Sequence, residues 1–172
     1  MAPHICVCRK LRRRAGSSVS PQKESTMNPL MTIMLALALT APACGGTMED
    51  QNKALVREFC DLAFNQHQPR EAAKQYLGSH YRQHNPHAPD GAEAFAEYFE
   101  GFFTAHPTFR FDIQRMIAEG DLVVLHVHTT LDAQDRGKAV VDIFRVDQGK
   151  IVEHWDVIQD VPERSANRNT MF

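Results

Sequence analysis

The stretch that decides the fold runs from Val141 to Asp156 and reads VDIFRVDQGKIVEHWD. Two segments rich in Val, Ile and Phe flank the turn signal Asp147-Gln148-Gly149, a pattern typical of a β-hairpin. A three-residue loop with Gly149 in the left-handed conformation predicts that Val146 lies opposite Lys150.

The same register predicts three further pairs of opposite residues: Phe144 with Val152, Asp142 with His154, and Val140 with Asp156. Because side chains alternate between the faces of a strand, the two carboxylates and the imidazole share one face with Phe144 and Val152. Those two apolar residues mark it as the buried face. A change of one residue in the loop would turn His154 and Asp156 to the other face.

Asp156, Asp142 and His154 are therefore the candidate catalytic residues. A carboxylate in an apolar pocket is poorly solvated, which raises its pKa, and a second carboxylate nearby separates the two pKa values further. A base with a raised pKa suits the removal of a proton next to a carbonyl group. In this interpretation Asp156 is the general base, Asp142 tunes it or holds a water molecule, and His154 polarises an oxygen.

Outside the hairpin, helical periodicity comes first and strand periodicity follows. Helices are predicted at Glu49–Asn65, Pro69–Leu77 and Ala92–Ala105, an extended segment at His80–Asn85, and strands at Thr108–Ala118, Leu122–Thr130, Ala139–Val146 and Ile151–Ile158. This order predicts an α+β fold, in which a curved antiparallel sheet packs on three N-terminal helices and forms a cone. The open end of the cone is a natural pocket.

Five further residues are candidates for contact with a ligand: His84, His126, His128, Phe102 and Phe144. Phe102 belongs to an aromatic stripe on the third helix. His126 and His128 share one face of their strand, at a spacing that suits metal ligands. With Asp142 or His154 across the sheet, they would make a three-ligand metal site.

Residues 1–48 are interpreted as a leader outside the fold, and residues 49–172 as a single domain. The apolar run Leu30–Leu39 is too short to span a bilayer and has the length of a signal-peptide core. Ala41-Pro42-Ala43 follows it as a cleavage pattern, with Cys44 as a possible lipid anchor. Export to the periplasm is expected if the segment 27–43 is a real leader; a start at Met48 instead of Met1 or Met27 would give a cytoplasmic protein.

The charge distribution argues against a nucleic-acid partner. Residues 1–48 carry six basic residues and one acidic residue, whereas the whole chain has a net charge of −2, so the predicted domain is acidic. Binding to nucleic acid needs a concentrated cationic surface. The chain is 43% hydrophobic and 23% charged, which excludes a disordered polar chain and a multi-pass membrane protein.

Residues 51–172 resemble the SnoaL-like polyketide cyclase family, within the nuclear transport factor 2-like superfamily. Four segments carry the resemblance: Gln51–Asn65 (QNKALVREFCDLAFN), Gln83–Gly91 (QHNPHAPDG), the hairpin Val141–Asp156, and Asn167–Phe172 (NRNTMF). The resemblance implies a cone-shaped fold that is usually dimeric through its sheet. It also implies ring closure by intramolecular aldol condensation, without metal or cofactor.

In the family's cyclases the base is an Asp that matches Asp156, assisted by a polar residue fourteen positions earlier. That residue is a His in the family's cyclase and Asp142 in this chain. The resulting expectation is a homodimeric protein that takes a small apolar carbonyl compound, needs no cofactor and has no metal. Two alternatives remain: a binding module without catalysis, and a metal-assisted hydrolase or lyase that uses His126 and His128.

Overall fold

In a computed structural model of the chain, residues 46–172 are described. Residues 1–45 of the predicted leader, which include the apolar run Leu30–Leu39 and Cys44, lie outside these residues, whereas its last residue, Met48, is the first residue of a helix. None of the helices within residues 46–172 combines the length and apolarity that a membrane span requires.

Three helices precede most of the sheet: α1 (Met48–Cys60), α2 (Pro69–Tyr76) and α3 (Ala92–Ala105). Helix α1 begins with a capping box, in which the Thr47 hydroxyl accepts from the Asp50 backbone N–H and the Asp50 carboxylate accepts from the Thr47 N–H. A π-helical turn, Asp61–Asn65, continues it. The Asn65 side chain then exchanges two hydrogen bonds of 3.1 Å with the backbone of Phe111, so the turn is fastened to the sheet.

Five strands make one sheet in the order β1-β5-β4-β3-β2. The strands are β1 (Leu77–Gln83), β2 (Arg110–Glu119), β3 (Leu122–Thr130), β4 (Lys138–Asp147) and β5 (Lys150–Asp160). The predicted antiparallel sheet is corrected in one respect: β1 runs parallel to β5, so the sheet is mixed. Bulges or register shifts interrupt the β1–β5, β2–β3 and β4–β5 pairings, and such irregularities bend strands.

The hairpin between β4 and β5 has a shorter turn than the sequence predicts. Asp147 is opposite Lys150, which leaves a two-residue loop, Gln148-Gly149, with φ of 48° and 73°. Positive φ at both positions matches the type I′ turn, whose twist suits antiparallel strands. The predicted pairing of Val146 with Lys150 is wrong, because Val146 is opposite Ile151.

The shorter turn alone would place His154 and Asp156 on the opposite face of β5, but a bulge in β5 returns them to the buried face. Arg145 is opposite Glu153 while the next residue is opposite Ile151, so Val152 is the extra residue on β5. As a result Asp142 lies opposite Asp156, and Phe144 lies opposite His154. The predicted partners were wrong by two residues, but these four residues share the buried face as predicted.

The core lies between this face of the sheet and the helices. Phe59 of α1 packs edge-on against Phe144 of β4, with ring centroids 5.9 Å apart, and against Phe95 of α3 at 5.5 Å. Val123, Leu125 and Val127 alternate along β3 and are fully buried on the same face. Helix and strand periodicities therefore converge on one aromatic and aliphatic core.

Candidate active site

A cavity of about 300 Å³ opens between the helices and the inner face of the sheet. Aromatic residues form a large part of its wall, and they include Phe102 and Phe144, two of the predicted ligand contacts. The other aromatic residues of the wall include Phe64, Phe95, Phe99 and Phe111. Apolar walls with a few polar groups are the usual composition of small-molecule sites.

The polar part of the wall contains the three predicted catalytic residues. One ligand atom from each of Asp142, His154 and Asp156 lies within 4.8 Å of the other two. Asp142 and His154 are buried, with 5% and 8% of their surface exposed, and Asp156 is partly buried. The predicted convergence of these groups inside an apolar cavity is therefore confirmed by the geometry.

The position of the hydrogen atom on the His154 ring follows from its neighbours. His154 Nδ1 is 2.8 Å from Gln83 Oε1, and the same Oε1 accepts from the backbone N–H of Asn85 at 2.9 Å. A backbone N–H can only donate, so the Gln83 atom between them is the amide oxygen. His154 Nδ1 must therefore carry a proton.

The other ring nitrogen of His154, Nε2, shares one proton with Asp142. His154 Nε2 is 3.1 Å from Asp142 Oδ1, and this contact needs a proton on one of the two atoms. The pair is either a neutral acid beside a neutral imidazole or a carboxylate beside an imidazolium, and both forms have no net charge. Burial raises the pKa of Asp142, the hydrogen bond and charge of His154 oppose that effect, and Asp156 adds to it.

Asp142 also has an unused acceptor. Its Oδ2 is buried and has no hydrogen-bond partner among the described residues. An unpaired buried oxygen costs about 1–3 kcal/mol, so its persistence suggests a role for a ligand or water at this place. Asp142 lines the cavity, so this oxygen lies close to where a ligand would bind.

Asp156 is oriented by the turn that follows β1. Its Oδ2 accepts from Asn85 Nδ2 at 2.6 Å, and Asn85 Oδ1 in turn accepts from the backbone N–H of His87 at 2.8 Å. The two hydrogen bonds of Asn85 thus fix the position of this carboxylate oxygen. Gln83 and Asn85 are site residues that sequence reasoning missed, although both stand in the turn-rich segment QHNPHAPDG.

Three predicted ligand contacts lie on the other face of the sheet. His84 stacks on Trp155 with centroids 4.7 Å apart and bonds Glu153 Oε1 at 2.9 Å, so it faces away from the cavity. His126 contacts Arg115, and His128 bonds the carbonyl oxygen of Arg136, each at 2.9 Å. These corrections follow from the alternation of side chains along a strand.

The metal alternative is corrected by the same observation. On β3 the buried residues are Val123, Leu125 and Val127, so His126 and His128 point to the opposite face from Asp142 and His154. Both rings instead stack on Phe172. Among residues 46–172, the ligand atoms of Asp142, His154 and Asp156 lie close enough together to hold a cation, and the first two of these residues bond each other.

The role predicted for His154 changes as well. Both of its ring nitrogens are engaged, Nδ1 by Gln83 and Nε2 by Asp142. The imidazole thus has no free N–H with which to polarise a ligand oxygen. Its place in the structure is to share a proton with Asp142.

The SnoaL-like domain model of the known protein families matches residues 56–154. The chain belongs to the SnoaL-like domain family. This membership supports a cyclase- or isomerase-type role in general terms. No curated protein matches the chain significantly.

Solved structures with the same fold include other SnoaL-like proteins. A provisionally named SnoaL-like polyketide cyclase from Jannaschia sp. CCS1 is 20% identical, with a TM-score of 0.57 over 66% of this chain and 89% of that one. A provisionally named ketosteroid isomerase from Kribbella flavida DSM 17836 is 20% identical, with a TM-score of 0.56 over 70% and 86%. These similarities confirm the predicted α+β fold of the nuclear transport factor 2-like type.

Proposed function

We propose that this SnoaL-like protein is an enzyme that removes a proton from the carbon next to a carbonyl group, with Asp156 as the base. The observation that carries the proposal is the meeting of two carboxylates and one imidazole on the wall of an aromatic cavity. Two carboxylates in different surroundings can hold different protonation states at one pH.

The surroundings assign the two carboxylates different roles. Asp142 shares a proton with His154, and that pair has no net charge. Asp156 accepts from the Asn85 amide and makes no hydrogen bond to His154, so we assign it, and not Asp142, the role of the base. A charge-neutral pair beside Asp156 spares it the repulsion that a second full negative charge would impose.

The cavity also limits the class of substrate. Its wall is rich in aromatic side chains, and the one lysine in the lining, Lys138, is paired with Asp160. An anionic substrate would meet two carboxyl groups without an available cation, whereas a neutral, apolar carbonyl compound would bury its surface against the rings. A flat, uncharged ketone fits this combination.

The proposed step balances without a cofactor. A carboxylate oxygen of Asp156 takes the proton from the α-carbon, and the electron pair of that C–H bond forms an enolate. The enolate can attack a second carbonyl carbon of the same molecule, whose π bond breaks to leave an alkoxide that takes the proton from Asp156, as in an aldol reaction. Alternatively, the enolate takes the proton back from Asp156 at a different carbon, as in an isomerisation. In both cases Asp156 returns to its ionised form.

Exchange of the α-protons of 1-tetralone, a bicyclic ketone, in D₂O tests this step without knowledge of the natural substrate. Proton NMR should show that the wild-type protein accelerates the loss of the α-proton signal. Asp156→Asn removes the base and should lower the accelerated rate by about 10²- to 10⁴-fold.

The matched control is Asp147→Asn, at the exposed end of the neighbouring strand β4 and outside the cavity lining. Its exchange rate should equal that of the wild type. If Asp156→Asn exchanges as fast as the wild type, the base assignment is wrong. If the wild type binds 1-tetralone without accelerating exchange, the chain is the binding module of this fold and not the proposed enzyme.

A further inference from the structure

Tyr81 is a buried polar residue that the mechanism above does not use. It lies on β1, lines the cavity, and has 3% of its surface exposed. Its ring stands edge-on to Phe95, with centroids 6.2 Å apart. A buried phenol normally uses its hydroxyl group as a donor, an acceptor or both.

Gln83 fixes how the Tyr81 hydroxyl is used. The oxygen of the Gln83 amide is committed to Asn85 and His154, so its nitrogen faces Tyr81. Gln83 Nε2 lies 3.2 Å from the Tyr81 oxygen and donates to it. The phenol oxygen is therefore the acceptor in this contact.

The hydroxyl proton of Tyr81 is left without an acceptor among the described residues, although the group is buried in the cavity wall. Burial raises the pKa of Tyr81, and the nearby carboxyl groups of Asp142 and Asp156 raise it further, so the phenol keeps its proton. A protonated donor thus faces the same cavity as the proposed base.

We propose that the Tyr81 hydroxyl donates a hydrogen bond to the carbonyl oxygen of the bound ligand, with Gln83 as its positioning residue. This inference rests on the proposed function. An enolate oxygen gains negative charge as the α-proton leaves, so a hydrogen-bond donor at this oxygen stabilises the enolate. The Tyr81 hydroxyl is such a donor, whereas His154 has no free N–H. This contact also narrows the ligand to a compound whose carbonyl oxygen and α-carbon reach Tyr81 and Asp156 together.

Two ligands that differ by one oxygen test the contact independently of catalysis. 1-Tetralone has a carbonyl oxygen and tetralin has none, and NMR titration gives the affinity of each for the full protein. Tyr81→Phe should weaken the affinity for 1-tetralone by about 2- to 12-fold, the factor that one net hydrogen bond contributes, and should leave the affinity for tetralin within about twofold of the wild-type value. An unchanged affinity for 1-tetralone would overturn the proposal.

Tyr76→Phe is the matched control, because Tyr76 donates to Glu58 at 3.2 Å and lies outside the cavity lining. It should leave the affinity for both ligands unchanged. A second measurement needs no variant: the carbonyl stretching band of 1-tetralone bound to the wild type should fall below its position in hexane. A band at the hexane position, or no binding of 1-tetralone, contradicts the proposal.

The outcome is separable from that of the proposed function. Loss of the 1-tetralone preference in Tyr81→Phe together with full α-proton exchange in Asp156→Asn would support the donor and reject the base. The reverse pair of results would support the base and reject the donor.

Discussion

Replacing Asp142 with asparagine tests how a buried carboxyl group makes stability depend on pH. Asp142 has 5% of its surface exposed, and its burial raises its pKa against the opposing effect of His154. The folded protein therefore binds this proton more tightly than the unfolded chain does. Asparagine keeps the shape and the hydrogen-bonding capacity of the neutral acid but has no proton to lose.

The sign and size of the effect follow from that difference. The stabilisation by the bound proton is complete below about pH 3.9, the ordinary pKa of Asp, and is lost as the pH rises through the raised value. The loss reaches at most about 1.4 kcal/mol per pH unit within that window. Asp142→Asn does not suffer this loss, so its free energy of unfolding should rise relative to the wild type as the pH increases.

Urea unfolding followed by far-ultraviolet circular dichroism, from about pH 4 to about pH 8, measures the difference. Asp147→Asn is the control, because Asp147 lies at the exposed end of the same strand. It should follow the pH dependence of the wild type. If Asp142→Asn also follows the wild type, then Asp142 does not hold a proton in the folded protein, and the shared proton with His154 is wrong.

Two further predictions concern the sheet. Gly137 has φ of 79°, and a Cβ there would overlap the carbonyl oxygen of Thr129. Gly137→Ala should therefore lower the free energy of unfolding in urea by more than about 2 kcal/mol, whereas Gly120→Ala, where the Cβ has open space, should lower it by about 1 kcal/mol. Equal losses in the two variants would contradict this prediction. Light scattering should give the mass of a homodimer for the wild type, since the sheet exposes apolar side chains such as Val157, 71% exposed, and Val157→Asp should lower that mass toward the monomer. A monomeric mass for the wild type would reject the expected dimer.

Elements with strong periodicity and clear boundaries were predictable from the sequence. Helix α3 has the predicted bounds, Ala92–Ala105, because its aromatic stripe is set off by Gly91 before it and His106-Pro107 after it. Strand β3 also has its predicted bounds, Leu122–Thr130. In both, local chemistry and tertiary packing favour the same structure.

Strand β1 was harder to predict because its pairing is not local. Its sequence, LGSHYRQ, is mostly polar, and its partner β5 lies about 70 residues further along the chain. Without that parallel pairing, Tyr81 and Gln83 could not be placed beside His154. This is why the hydrogen bonds that Gln83 makes to His154 and Tyr81 escaped the sequence reasoning.

The hairpin shows how a correct face can follow from a wrong register. The composition of the loop indicated a glycine-closed turn but did not distinguish a two-residue loop from a three-residue loop. No residue in the sequence marks the bulge at Val152. The shorter turn and the bulge each shift the pattern by one residue, so Asp142, His154 and Asp156 still meet inside.

A crystal structure of the Asp156→Asn protein with 1-tetralone tests the central claim most directly. The account predicts the ketone inside the aromatic cavity, with its carbonyl oxygen about 2.7–3.2 Å from the Tyr81 hydroxyl and its α-carbon facing residue 156. A ketone bound outside the cavity, or inside it with the α-carbon turned away from residue 156, would contradict the account.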